Sequence, residues 1–358
     1  MAFIAMITDQ HFGVRGDSQI FLDYQRKFFE ETFFPYLKEH NIVSVFELGD
    51  TFDRRKNVNY NTLHHVKEFY FDHLQASNIQ LHSIVGNHDA FFGNRIDINS
   101  ILALREYSNI KSYENPEDIE IDGCKFLMMP WINSENSKPC VDAINNTDAH
   151  IMIGHFELSN QILQRNFKFS GGINLEDVKK FEIVLSGHYH HKITKKNFKY
   201  LGTPYQMAWD DTDNEKGFHV FNTETREITF IKNPHDIYMK IFWEDKGDYD
   251  ITEKLDFVNN HQDAFRDKYI KIIIKQGANP YILDRYIDAL ENCDPHSVVT
   301  EDPIIQYSQE EYIEPLDNIE DTLTILRKHI NSIENYSNKN KLLNYIEDIY
   351  NEALQIEE

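Results

Sequence analysis

The chain has 358 residues, with 36 Lys and Arg against 59 Asp and Glu, a formal net charge of −23. So acidic a total argues against a nucleic-acid partner unless positive charge is concentrated locally, because non-specific affinity for phosphate comes from lysine and arginine. Apolar residues at 41% exclude a disordered chain, the length implies two or three domains, and no apolar run long enough for a membrane span is present.

In chain order, residues 2–8 (AFIAMIT) read as a buried strand, and residues 21–39 carry Leu22, Phe29, Phe33 and Leu37 at helical spacing. Residues 42–48 predict a second strand, 61–75 a second helix and 79–85 a third strand. This βαβαβ opening implies parallel strands covered by helices. Further strands are expected at 124–129, 151–153, 183–185 and 217–222. The phenylalanines of 21–39 could stack on bases, but their periodicity favours core packing. A smaller α/β unit follows, with strands at 237–243, 269–275 and 297–301 and helices at 251–265 and 280–291. The expected domains are therefore 1–235 and 236–301, then a Pro- and acid-containing linker at 302–316 and a helical hairpin at 317–358. In that hairpin Asp317 and Glu320 suit a capping box and Ser337 a second cap. Apolar positions 319, 323, 326, 330 and 333, and 342, 346, 349, 353 and 356, follow a coiled-coil seam. Such short helices either pack on each other or dock on another protein.

Three widely spaced cysteines, Cys124, Cys140 and Cys293, fit a reducing compartment and exclude both a disulfide framework and a Cys-based zinc site. Met1–Thr8 lacks the basic start of a signal peptide, so a cytoplasmic location is expected. The 17 histidines outnumber the 14 glycines, which raises the prospect of a metal. Four of those 14 glycines precede a polar residue at the end of an expected strand: Gly49-Asp50, Gly86-Asn87, Gly154-His155 and Gly187-His188. In open α/β sheets, ligands bind beyond the carboxyl ends of the strands, so these positions should converge with Asp9 and His11. Imidazoles suit borderline metals and carboxylate or amide oxygens harder ones.

Taken together and in this order, Asp9-Gln10-His11, Gly49-Asp50-Thr51-Phe52-Asp53, Gly86-Asn87-His88-Asp89, Gly154-His155 and Gly187-His188-Tyr189-His190 resemble the calcineurin-like metallophosphoesterase family. The resemblance implies a two-sheet sandwich flanked by helices, a small α/β capping domain that binds DNA, a C-terminal helical module, and two divalent ions. Mn²⁺ is favoured, with Mg²⁺, Fe or Zn²⁺ possible. Asp9, His11, Asp50 and His190 would hold one ion and Asp50, Asn87, His155 and His188 the other, Asp50 bridging. His88 would serve the leaving oxygen, Asp89 would orient His88, and Asp53 matches the variable last position of the second motif, where an ordinary loop carboxylate is the alternative. His64, His65, His150, His191 and His219 have no counterpart role.

Asp53-Arg54 is similar to the arginine motif of the family's phosphoprotein phosphatases, but Arg55 replaces its glycine and Asp89 its glutamate. Tyr200–Gln206 and Lys216-Gly217-Phe218 instead resemble the SbcD-type recombination and repair nucleases, and the Thr51–Arg55 version of the second motif looks most like their bacteriophage branch. That resemblance implies a metal-dependent DNA exonuclease and endonuclease, a homodimer, and an SMC-like coiled-coil ATPase of SbcC type bound through the C-terminal helices. A phosphoprotein phosphatase and a weakly catalytic DNA-clamping scaffold are the alternatives. Arg54, Arg55 and Lys56 follow Asp50, and Lys192, Lys195, Lys196 and Lys199 follow His190, so both clusters are candidate DNA contacts. Residues 281–358 carry 5 basic and 18 acidic residues, more than half of the net charge, whereas residues 1–210 carry 21 and 27. The acidity is thus concentrated where a protein partner is expected.

Overall fold

The computed structural model describes residues 2–158, 173–244, 251–276 and 279–301. Met1–Glu301 forms one compact unit. The expected linker and C-terminal helices, residues 302–358, lie outside the described residues.

Strands β1 (Phe3–Ile7), β2 (Ser44–Glu47), β3 (Gln80–Ile84) and β4 (Ile110–Tyr113) run parallel in that order. A second sheet uses β5 (Glu117–Ile121), β6 (Cys124–Met129), β7 (Ile151–Gly154), β8 (Ile183–Ser186), β9 (Ile193–Lys195) and β10 (Phe198–Tyr200). Its order is β5-β6-β7-β8-β10-β9, with β6, β7, β8 and β10 parallel and the two edges antiparallel. β11 (Gly217–Asn222) and β12 (Ile228–Lys232) return to the first sheet, β11 pairing antiparallel with β1.

The two sheets pack face to face. Ile4 and Met6 of β1 face Phe126, Met128, Ile151, Ile153 and Leu185 of the second sheet, while Ala5 and Ile7 face the helices. Burial on both faces explains why these strands read as continuous apolar runs. The strands that periodicity missed, β4, β5, β9, β10 and β12, are mostly short and lie mainly at sheet edges. In β5 only Ile119 and Ile121 pack on the core, so no apolar run marks it.

The helix expected at 21–39 forms as Gln19–Phe28 and Phe34–Glu39 joined by a π-turn at Phe29–Phe33. Pro35 has no N–H for the helical ladder, which gives a local cause for the widened turn. A second π-turn, Lys67–Phe71, interrupts the helix between β2 and β3. The two meet ring to ring: Phe29 lies 4.6 Å from Tyr70 and 5.8 Å from Phe69. Phe28, Phe29 and Phe33 are fully buried, so this aromatic run is core.

A smaller parallel sheet, β13 (Tyr238–Glu244), β14 (Tyr269–Gln276) and β15 (Ser297–Glu301), has a core of its own against helices Ile251–Asn260 and Pro280–Glu291. Asn279 caps the latter helix, its side chain accepting from the Tyr281 N–H at 3.1 Å, with Pro280 in the first turn. Ile237 and Tyr238 pack into the helix-side core of the large sandwich, joining the two sheet systems.

Phe29→Ala should cost about 3–5 kcal/mol in urea unfolding, since truncation leaves a cavity between two locally irregular helices. A loss below about 1 kcal/mol would mean the aromatic cluster is not a tightly packed core.

Candidate active site

Every motif residue singled out from the sequence follows the carboxyl end of a parallel strand. Asp9 and His11 follow β1, Asp50 follows β2, Asn87 and His88 follow β3, His155 follows β7, and His188 and His190 follow β8. The turns are tight. Asp9, His11, Asp50 and His188 all have positive φ, at 52°, 45°, 56° and 86°. Non-glycine residues in that region carry strain of the kind that gathers at functional sites. Two glycines make the convergence possible: a Cβ on Gly86 would run into the Asp50 carboxylate, and one on Gly187 into Thr8 and Asp9.

The side chains form two adjoining clusters. In one, ligand atoms of Asp9, His11 and His190 lie within 4.8 Å of one another, with His11 Nε2 3.2 Å from His190 Nε2. In the other, Asp50, His155 and His188 lie within 4.8 Å, and Asn87 Oδ1 is 2.9 Å from both His155 Nε2 and His188 Nδ1. Asp50 belongs to both: its Oδ2 is 3.3 Å from His155 Nε2 and 3.8 Å from His11 Nε2.

The donor set fits divalent cations. His155 Nδ1 lies 2.7 Å from the Leu48 carbonyl oxygen, which can only accept, so Nδ1 carries the proton and Nε2 is turned towards Asn87 and Asp50. His188 places Nε2 2.7 Å from Glu157 Oε1, leaving Nδ1 facing inward. His11 Nδ1 lies 3.4 Å from Asp53 Oδ1, leaving Nε2 inward. Lone pairs of nitrogen and oxygen directed at one another across about 3 Å are what a cation resolves. The electrostatics agree. Burial pushes the Asp50 carboxyl up, but His155, His88 and His11 outweigh it and hold it well below the ordinary range. Burial pushes His155 down, yet Asp50 and Asp9 outweigh it and raise it to about 9. Burial, with the His11 charge adding, lowers His190 to about 4, so its imidazole is neutral at neutral pH.

His88 stands beside the first cluster, its ring 4.8 Å from that of His11 and edge-on to it. His88 Nδ1 lies 2.6 Å from the Asp53 carbonyl oxygen and its backbone N–H donates to Asp50 Oδ1 at 2.8 Å. Donation from Nδ1–H leaves Nε2 as the atom able to deliver a proton. The sequence places Asp89 behind His88, but the structure gives it a different task. Its carboxylate accepts from the N–H groups of Asp50, Thr51 and Gly86 at 2.8, 3.1 and 2.9 Å and from the Ser100 hydroxyl at 2.8 Å. Asp89 thus holds the Asp50 turn, because buried backbone N–H groups need an acceptor.

Three supports were assigned no role from the sequence, although Lys216 lies in the Lys216-Gly217-Phe218 segment noted there. Glu157 fixes His188, as above. Glu47 lies fully buried below the site and accepts from Gln10 Nε2 at 2.5 Å and Ser83 Oγ at 2.7 Å, clamping the residue between Asp9 and His11. Lys216 and Asp211, both buried, pair at 2.5 Å, and Lys216 Nζ donates to the His190 carbonyl at 2.7 Å.

The candidate DNA contacts divide. Arg54 lies 3.4 Å from Asp17, Arg55 sits 5.4 Å over Trp131, and Lys56 is exposed. Lys192 packs 3.2 Å over Phe230 and lies 3.6 Å from Glu215. Lys195 and Lys196 turn away from the metal motifs: in the β9–β10 hairpin Phe198 pairs with Val184, and the Val184 N–H bonds the Asn197 carbonyl, so the turn lies by the start of β8 rather than its end. Closeness in sequence to His190 therefore does not carry these two lysines to the site. Lys199 is half-buried on β10.

No protein-family model matches the chain. It is 28% identical over 360 aligned residues, 98% of this chain and 99% of the relative, to exonuclease subunit 1 of Enterobacteria phage T4. It is 22% identical over 224 residues, 53% of this chain and 58% of the relative, to a subunit of the nuclease SbcCD of Staphylococcus epidermidis. Among solved structures, an archaeal phosphodiesterase aligns at 12% identity over 64% of this chain and 99% of that one, with a TM-score of 0.35. The nuclease MPE of Pseudomonas putida aligns at 17% identity over 55% and 66%, with a TM-score of 0.28.

Glu47 generates a pH test. Burial, with the Asp89 charge adding, pushes its carboxyl from 4.5 up to about 7. Its raised value favours the protonated folded state, so its stabilising contribution is full below 4.5 and lost as pH rises through 7. Glu47→Gln should therefore gain stability relative to the parent chain across that window, by about 1.4 kcal/mol per pH unit, and level off above it. A stability difference constant with pH in urea unfolding would contradict the raised carboxyl.

Proposed function

We propose that this chain, which belongs to the calcineurin-like metallophosphoesterases of the SbcD type, is a two-metal-dependent DNA nuclease with exonuclease and endonuclease activity. The observation that carries the reading is the convergence of Asp9, His11, Asp50, Asn87, His155, His188 and His190 from five strand ends, with His88 beside them. Asp9, His11, Asp50 and His190 hold one divalent ion, and Asp50, Asn87, His155 and His188 the second, Mn²⁺ favoured. Two such ions supply Lewis acidity and an activated water for in-line displacement at phosphorus.

The chain's own residues do the rest. His88 Nε2 gives a proton to the sugar oxygen as the phosphorus–oxygen bond breaks, so the leaving group departs neutral. The Asp53 carbonyl keeps the His88 ring oriented, while the Asp53 carboxylate steadies His11 from outside. Asp89 holds the turn that presents Asp50. Arg54, Arg55 and Lys56, beside Asp50, receive the DNA backbone, and Lys192, Lys195 and Lys196 contribute at most at a distance from the reacting phosphate. The β13–β15 unit caps the bound DNA.

The names of the two relatives, both nuclease subunits, support a multisubunit assembly. The chain works as a homodimer with an SMC-like coiled-coil ATPase, recruited through the apolar seams of 317–358.

Purified protein with Mn²⁺ should cleave DNA and leave phosphopeptides intact; the reverse selectivity would assign a phosphatase. His88→Ala should lower DNA cleavage by at least about a hundredfold while Mn²⁺ binding persists. Unchanged cleavage would remove His88 from the chemistry. Deletion of 317–358 should abolish co-purification with the ATPase and leave basal cleavage intact, whereas undiminished association would place the docking surface elsewhere.

A further inference from the structure

The segment following the Asn87-His88-Asp89 motif does not turn straight back into the sandwich. Residues 90–99 form a small antiparallel loop, closed by the Ala90–Asn99 bridge and by the Phe91 N–H donating to the Ile98 carbonyl at 3.0 Å. The loop's base is anchored, because the Ser100 N–H donates to the Asp89 carbonyl at 2.9 Å. Apolar side chains beside the closing bridge are partly exposed. Phe91 is 38% and Ile98 47% exposed, and the two pair with each other across the loop. The Phe91 and Phe92 rings are 4.8 Å apart, and the Arg95 guanidinium stacks 4.0 Å over Phe92.

Across from the loop stands Trp131, whose N–H bonds the Val85 carbonyl at 2.9 Å at the end of β3, with Arg55 5.4 Å over its ring. Arg55 joins the two sides, since its Nη1 lies 3.7 Å from where a Cβ on Gly93 would be. Arg55 makes no ion pair among the described residues. Phe91 is three residues from His88, so their Cα atoms lie within about 11 Å of each other, a short reach along a nucleic-acid strand.

Rings alone would suggest a protein partner. Here, however, guanidinium groups lie on the rings: Arg55 over Trp131, and Arg95, whose Nε is 3.2 Å from Asp97, over Phe92. Apolar ring faces beside guanidinium groups match a ligand that offers flat, uncharged bases on an anionic backbone. Paired bases hide their faces within the duplex stack, so only unpaired ones can use such a surface. We propose that Phe91, Phe92 and Trp131, with Arg55 and Arg95, form a stacking platform for unpaired nucleotides of a DNA strand entering the active site. This rests on the nuclease reading and narrows its substrate to DNA with single-stranded character near the scissile phosphate.

The test is binding rather than cleavage, which separates it from the nuclease reading. Fluorescence anisotropy in EDTA at low salt compares a 5′-labelled oligothymidylate of about 12 nucleotides with a blunt duplex of the same length, within the site size of such platforms. Phe91→Ala with Phe92→Ala should weaken the single strand about tenfold or more and the duplex by less than about twofold. Phe91→Leu in the Phe92→Ala background keeps apolar bulk without a ring and should be as weak as the double alanine. Unchanged single-strand affinity, equal losses on both DNAs, or full rescue by leucine would overturn the platform. Failure of the nuclease reading would appear separately, as absence of Mn²⁺-dependent cleavage by the unaltered chain.

Discussion

The Asp50 carboxylate is the point on which the site depends. It belongs to the first sheet, yet its Oδ2 reaches His155 of the second sheet at 3.3 Å and His11 at 3.8 Å, while Oδ1 accepts the His88 N–H at 2.8 Å. Asp50 therefore ties together both sheets, both side-chain clusters and the backbone of His88. Its own turn is held from beneath by Asp89, which takes the Asp50 N–H at 2.8 Å. Two carboxylates this close and this buried repel, and the raised Asp89 carboxyl, with burial first and the Asp50 charge second, reflects it. Backbone amides on Asp89 and imidazoles around Asp50 offset that repulsion. A bound cation would do so further.

The surrounding fold keeps this arrangement from relaxing. Positive φ at Asp9, His11, Asp50 and His188 aims each side chain inward at a cost in backbone strain. Glu47 clamps Gln10, and the Lys216–Asp211 pair holds the His190 carbonyl, so two of the strained turns are fixed from behind by buried polar contacts. Such pairs contribute less to net stability than to a single geometry, and a site of converging ligands needs geometry.

Much of this was legible in the sequence because the signals are local. An apolar run ending in glycine and a ligand-type residue marks a strand end in a parallel sheet, and four such ends, with Asp9-Gln10-His11 after the first strand, located all seven ligand candidates and His88. The small sheet was readable because its central strand, YIKIIIK, is apolar apart from Lys271 and Lys275. What escaped depends on contacts between distant residues. Glu47 and Gln10 are 37 positions apart, and nothing in either neighbourhood predicts their pairing. Asp89 could be placed beside His88 by adjacency, but its orientation follows from where the Asp50 amides point. Lys195 and Lys196 follow His190 closely, yet a two-strand hairpin carries them to the other end of β8. The net charge of −23 misled in the same way, since it averages an acidic C-terminal segment with a nearly balanced catalytic part.

The most direct measurement of the central claim is anomalous diffraction from crystals of the chain soaked in Mn²⁺. The account predicts two peaks about 3.5–4 Å apart on either side of the Asp50 carboxylate, one among Asp9, His11 and His190 and one among Asn87, His155 and His188. A single peak, or peaks confined to the exposed His64, His65 and Glu68 group, would contradict it.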